Sequence, residues 1–178
     1  MLADIIGPVT DQPEVRAIAV SSLTGSLTLD GTSGALGNEL DRALLLALRD
    51  WADVVLVGAE TVRAEGYTGQ RAKQLAVLTR SGDVPLADAL LLTPSSPSEL
   101  IADLHRRGFR RIVCEGGPSV FTQLLDAHLI DILHLTVAPV LVAPVDKHLI
   151  TAGHHRLHLE HHAATDDGTL FLRYRAVR

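Results

Sequence analysis

Cys114-Glu115-Gly116-Gly117-Pro118-Ser119 concentrates residue types that can do chemistry. It closes an apolar run, Arg111 to Glu115, and opens a helical pattern in which Val120, Phe121, Leu124 and Leu125 share a face. Two glycines at such a junction let a ligand's phosphate approach the backbone closely. The new helix offers unpaired N–H groups and the positive end of its dipole, and Pro118 gives up a donor that had no partner. The pattern suits pyrophosphate binding, but it is not the G-x-G-x-x-G dinucleotide fingerprint, and a Gly-Gly pair at a strand end is as often a plain tight turn. Val57-Gly58-Ala59-Glu60-Thr61-Val62-Arg63 places a second such turn after another apolar run. Ligands of open α/β sheets gather at these strand ends. Thr79-Arg80-Ser81 supplies a third: an arginine and two hydroxyls that suit a ribose 2′-phosphate, with a solvated strand terminus as the equally weighted alternative.

Other reactive side chains read more blandly. His154, His155, His158, His161 and His162 surround Glu160, and on a strand His158, Glu160 and His162 would share a face. Strand-edge histidines are more often solvated than metal-bound, so no metal is expected. Cys114 lies in an apolar strand without a base nearby and reads as core packing. Trp51 ends an apolar helical stripe and reads as core. Arg106, Arg107, Arg110 and Arg111 surround a helix C-terminus, where capping and solvation account for them.

The elements that position these residues follow from periodicity. Residues 1–14 read as an extended lead-in, and Arg16 to Leu23 as a first strand running into a glycine-containing loop, Thr24 to Gly37. Asn38 is a good N-cap, and Leu40, Ala43, Leu44, Ala47, Leu48 and Trp51 form one helical face. Asp53 to Gly58, Leu75 to Thr79 and Ala89 to Thr93 are continuous apolar runs, the form of strands covered on both faces, with Ala59 to Glu65 a short helix. Ser96, Pro97 and Glu99 make a capping box for a helix that ends at Gly108. Ile132 to Val142 reads as a long strand broken near Pro139, and Leu157 to Ala163 with Thr169 to Val177 as a hairpin turning through a type I′ pair, Asp167-Gly168. The expected fold is a three-layer αβα domain spanning residues 1–178. Its central sheet is mixed but mostly parallel, with the C-terminal antiparallel hairpin at an edge.

Composition bounds the function. The chain has 178 residues, 47% of them hydrophobic and only 3% aromatic, enough for one aliphatic core. A net charge of −5 argues against a nucleic-acid face. One cysteine precludes an internal disulfide, no apolar run reaches the roughly 20 residues that cross a bilayer, and the N-terminus lacks a signal-peptide pattern. Cytoplasm is the expected compartment. The apolar run from Ile132 to Val142 predicts a homodimer through the C-terminal strands.

Five strings resemble, in order, those of the riboflavin-biosynthesis pyrimidine reductase family. They are Ser22-Leu23-Thr24-Gly25, Ala47-Leu48-Arg49, Ala52 through Glu65, Cys114 through Ser119, and Val137-Ala138-Pro139-Val140-Leu141-Val142. The resemblance spans about residues 15 to 177. It implies a dihydrofolate-reductase-like fold and hydride transfer from NADPH to the ribose of a phosphorylated aminopyrimidine, 5-amino-6-(5-phosphoribosylamino)uracil. By matching strings it places Gly58, Thr61, Glu65, Gly116, Gly117, Pro118 and Ser119 around NADPH, with Ser21 and Ser22 on the nicotinamide side. Ser33, Arg49 and Arg71 would face the substrate, and Glu115 would sit between the ligands as the catalytic carboxylate, holding sugar hydroxyls or relaying a proton.

Two departures stand out. The family usually has Asp where this chain has Thr24, and often Lys where it has Ser26. Thr93-Pro94-Ser95-Ser96-Pro97 is short, as though a strand and loop beside the cofactor were missing. These departures keep two alternatives open: reduction of another substrate, such as a pterin, and a non-catalytic nucleotide-binding relative. Deaminase chemistry is excluded, because its zinc site needs a Pro-Cys-x-x-Cys and the chain has one cysteine.

Overall fold

The computed structural model describes residues 1–67, 73–82, 84, 86 and 88–177. In chain order its elements are α1 (Leu2–Ile6), β1 (Glu14–Ser22), α2 (Glu39–Trp51), β2 (Val54–Gly58), α3 (Ala59–Ala64), β3 (Gln74–Leu78), β4 (Leu90–Leu92), α4 (Pro97–Arg106), β5 (Arg111–Gly116), α5 (Pro118–Asp126), β6 (Ile132–Ala138), β7 (Leu157–Ala164) and β8 (Leu170–Ala176). The strands form one sheet in the order β4-β3-β2-β5-β1-β6-β8-β7. β4 through β6 are mutually parallel, and β8 and β7 add antiparallel to β6. The expected mixed sheet with an edge hairpin is the observed one.

All five residues of β2 are buried, as its unbroken Val-Val-Leu-Val-Gly run requires of a strand covered on both faces. One core cluster joins Leu56, Ile112 and Cys114 of the sheet to Leu100 and Leu104 of α4 and Phe121 and Leu124 of α5. The cluster on the opposite face joins Ile18, Val55 and Val113 to Leu44, Leu48 and Trp51 of α2. Asn38 caps α2 by accepting from the Asp41 amide at 3.0 Å. Ser96 caps α4 by accepting from the Glu99 amide at 3.1 Å, while the Glu99 carboxylate receives the Ser95 amide rather than that of Ser96.

Three expectations are corrected. Residues 2–6 are helical, not extended, because arginines from the sheet satisfy the carbonyls at the end of α1: Arg173 donates to Asp4 and Ile5, and Arg16 to Ile6. The β7–β8 turn is not type I′. In it only Gly168 has a positive φ, 86°, and the Gly168 amide donates to the Thr165 carbonyl, so a three-residue loop ends in a left-handed glycine. The segment after Thr93 is a short connection from β4 into α4, within an eight-stranded sheet. The run from Ile132, expected to continue to Val142, ends as a strand at Ala138: Ile132, Leu133 and Ala138 are buried, Leu135 and Val137 half-buried, and Leu141 beyond the strand is exposed.

Candidate active site

The parallel strands β1, β2, β3 and β5 all end on the same side, and there two cavities open side by side. The first, of about 850 Å³, is lined by Ser33, Asp41, Arg49, Glu65, Tyr67 and Glu115 among others. The second, of about 730 Å³, is lined by Gly58, Thr79, Arg80, Ser81 and Ser119 and by the Pro94–Pro97 connection. Thr61, Gly117, Pro118 and Lys147 line both. Both volumes lie in the range of small-molecule and cofactor sites.

Glu115 holds the first cavity together. Between Leu56 and Val57 the β2–β5 register slips by one residue, so Glu115 has no opposite number on β2. Such irregularities re-aim a side chain at a strand end. The Glu115 carboxylate accepts from Arg49 through both oxygens, with Nη2 to Oε2 at 2.6 Å, and from the Tyr67 hydroxyl at 2.5 Å. Burial opposes the Arg49 charge, but the hydrogen bonds and charge of Glu115 outweigh it and hold the guanidinium above its ordinary pKa. Two carboxylate oxygens offer four acceptor positions; three are taken, which leaves one on Oε1 for a ligand. Asp41, Leu45 and Arg49 recur every four residues, so α2 lays one stripe along this cavity while Leu44, Leu48 and Trp51 face the core. Burial pushes the Asp41 carboxyl above the usual carboxylate range.

The second cavity is a cradle of bare backbone. Gly117 takes φ 67°, and a Cβ there would come within 2.9 Å of Thr61 Oγ1. Only glycine keeps that wall open. Gly116, at φ 84°, serves packing instead, since a Cβ there would run into the Phe121 ring. α5 starts beside this wall with no acidic residue in its first turn. These features fit a dinucleotide with a pyrophosphate.

Of the residues expected around a cofactor, Gly58, Thr61, Thr79, Arg80, Ser81, Gly117, Pro118 and Ser119 come together on the second cavity. Glu65 belongs to the first, where its Oε1 accepts from the Ser33 amide at 3.1 Å. Ser21 and Ser22 line neither; Ser22 Oγ accepts from the Ser26 amide and bonds Thr24 Oγ1. Ser33, Arg49 and Glu115, expected at the substrate, share the first cavity. Arg71 lies outside the described residues. Thr24 works as a tether, donating to the Val142 carbonyl at 2.8 Å and accepting from its amide at 3.0 Å. Cys114 is fully buried, and burial pushes its thiol up to about 12. Glu160 is engaged by Arg173 and Arg175, and a register shift between Leu159 and His161 breaks the alternation that would align His158, Glu160 and His162. Tyr67, Asp41 and Lys147 were not read as site residues from the sequence. Tyr67 and Lys147 stand in segments without periodicity, and Asp41 read only as a first-turn helix charge.

Residues 13–171 match the family model described as the RibD C-terminal domain. The chain belongs to that family. That is the riboflavin-biosynthesis reductase family that its motifs resemble. A pyrimidine reductase-like protein from Corynebacterium diphtheriae is 31% identical, with 93% of this chain and 92% of that one covered and a TM-score of 0.81. The deaminase/5-amino-6-(5-phosphoribosylamino)uracil reductase of Thermotoga maritima shares the fold at 18% identity and TM-score 0.76; 93% of this chain covers 57% of that one. Dihydrofolate reductase from Enterococcus faecalis, complexed with NADP(H), shares it at 17% identity and TM-score 0.72, with 94% and 98% covered. No curated protein sequence is a significant match.

Proposed function

We propose that this chain is an NADPH-dependent reductase that opens the ribose of 5-amino-6-(5-phosphoribosylamino)uracil, or a close phosphorylated analogue, to a ribitylamine. The observation that carries the reading is the shared wall: two ligand-sized cavities meet at Thr61, Gly117 and Pro118, at the ends of parallel strands. Gly58, Thr61 and the Gly117–Ser119 backbone would hold the cofactor's pyrophosphate, and Thr79, Arg80 and Ser81 its 2′-phosphate. When bound, NADPH supplies the hydride; the protein orients the partners and excludes water.

Glu115 faces the sugar. Its remaining acceptor position takes a ribose hydroxyl, and Arg49 and Tyr67 keep it aimed. Ser33 and Arg71 complete the substrate side in this reading. The intact Arg49–Glu115–Tyr67 constellation favours chemistry over a purely nucleotide-binding role. Assembly as a homodimer is part of the proposal: β7 is one of the sheet's two edge strands and exposes Leu159. A dimeric mass at micromolar concentration is the expected result, and a monomeric one contradicts it. A cytoplasmic setting, without nucleic-acid or membrane partners, accords with the charge of −5 and with the finding that no helix among the described residues is long and apolar enough to cross a membrane.

Calorimetric titration with NADPH, against NADH as control, tests the reading. The expected dissociation constant is near 1 μM, about −8 kcal/mol, with NADH clearly weaker. No heat of binding for either cofactor contradicts it.

A further inference from the structure

A reduction that opens a sugar ring needs a proton as well as a hydride, at the place where the two ligands meet. Thr61, Gly117, Pro118 and Lys147 line both cavities, and of these four only Lys147 carries a titratable proton. Asp41 and Glu65 line the first cavity alone, away from the shared wall, and Glu65 accepts from the Ser33 amide. Glu115 accepts from Arg49 and Tyr67, and the Tyr67 proton is directed at Glu115. Thr24 lines neither cavity and is bound to Val142. The backbone around Lys147 is fixed: the Leu27 amide donates to the Lys147 carbonyl at 2.9 Å, and the Thr151 amide to Thr122 Oγ1 at 2.9 Å. The Lys147 ammonium makes no hydrogen bond or ion pair among the described residues. It is therefore a cation with three donors free, on a backbone anchored beside both cavities.

We propose that Lys147 is the proton donor of the reaction, an assignment that rests on the reductase reading above. As the ribosyl carbon gains hydride from the nicotinamide cofactor, its bond to the ring oxygen breaks and the electron pair stays on that oxygen. Lys147 Nζ gives the oxygen its proton and is recharged from solvent. The loop tethered at Thr24 is then no gap in the chemistry, because the proton comes from the β6–β7 connection to which Thr24 is bound through Val142.

The chain has two lysines, Lys73 and Lys147, so amine reactivity reads the site directly. Competitive acetylation of the whole protein, followed by peptide mass spectrometry, is expected to slow at Lys147 at least fivefold when NADPH is saturating, with Lys73 unchanged. Lys147→Met is expected to lower the single-turnover rate about 100-fold or more, the usual worth of a general acid. Lys147→Arg keeps the charge, so NADPH affinity should stay within threefold while the rate falls at least tenfold. Unchanged Lys147 acetylation, or a Lys147→Arg rate within threefold of wild type, overturns the assignment and leaves the reductase reading standing. A wild-type protein that binds NADPH but transfers no hydride overturns both. Acetylation is read on the unmutated chain, so a misfolded variant does not spoil the test.

Discussion

Two buried arginine–glutamate pairs on the same face of the sheet are put to opposite uses. Arg16 and Glu14 meet at 2.8 Å with side-chain exposures of 2% and 9%. Every arm of Arg16 is taken: Nε by Glu14, Nη1 by the Ile6 carbonyl and Nη2 by the Pro8 carbonyl, with Trp51 stacked at 4.5 Å. That pair closes a region and clips α1 and the following loop to the sheet. Arg49 and Glu115 are similarly joined, but Arg49 is 23% exposed and the pair faces an open cavity with an acceptor position to spare. A buried ion pair adds little net stability, because desolvation offsets most of the attraction. What distinguishes a scaffold pair from a site pair is therefore whether its surplus hydrogen-bonding capacity ends on backbone or on empty space.

The widest separation comes from removing one partner of each pair. Arg16→Met leaves Glu14 buried and two carbonyls without donors, so a loss of about 3 to 5 kcal/mol of stability is expected, read by urea denaturation. Activity per folded molecule should survive. Glu115→Gln should do the reverse: about a 100-fold loss of turnover with no more than about 1 kcal/mol of stability, because Arg49 can turn to solvent. If Glu115→Gln unfolds the protein and Arg16→Met spares it, the comparison is backwards.

The closed region also carries an acid sensitivity. His134 is fully buried with neither ring nitrogen paired among the described residues. Burial, and then the charges of Arg16 and Arg173, push its pKa from 6.5 down to about 3. Between those values the unfolded chain binds a proton that the folded chain refuses. Stability is thus complete above pH 6.5 and is lost as pH falls toward 3. His134→Leu should flatten this limb in denaturation curves at pH 4.5 to 7; an unchanged limb would locate the sensitivity elsewhere. The smallest effect is at the cavity's rim. Asn38→Ala removes the α2 cap and the 3.0 Å bond to Asp167, at a cost of about 1 kcal/mol, with a modest rise in substrate KM because Asn38 also lines the first cavity.

What was legible in the sequence was what local pattern determines. The unbroken apolar run of β2, the α2 stripe and its Asn38 cap, and the Gly116-Gly117-Pro118 junction all follow from periodicity and turn chemistry, and the site's floor stands on them. Contacts between distant segments were not legible. Tyr67 reaches Glu115 across 48 positions, and Lys147 reaches the shared wall from a stretch without periodicity. α1 was missed because its carbonyls are capped by Arg16 and Arg173 from far along the chain, and five residues carry too little pattern of their own. Glu65, expected beside the cofactor, lines the first cavity instead for a related reason: position in a motif gives the neighbourhood of a side chain but not the side of the wall it faces.

The central claim is that the two cavities meet where hydride passes to a ribosyl carbon. Incubation of the protein with NADPH deuterated at the nicotinamide C4 position and 5-amino-6-(5-phosphoribosylamino)uracil, followed by mass spectrometry of the product, tests it most directly. The account predicts a ribitylamine carrying deuterium on the former ribosyl carbon, formed by wild type and about 100-fold more slowly by Glu115→Gln. Recovery of unlabelled, unopened substrate alongside tightly bound NADPH would contradict it.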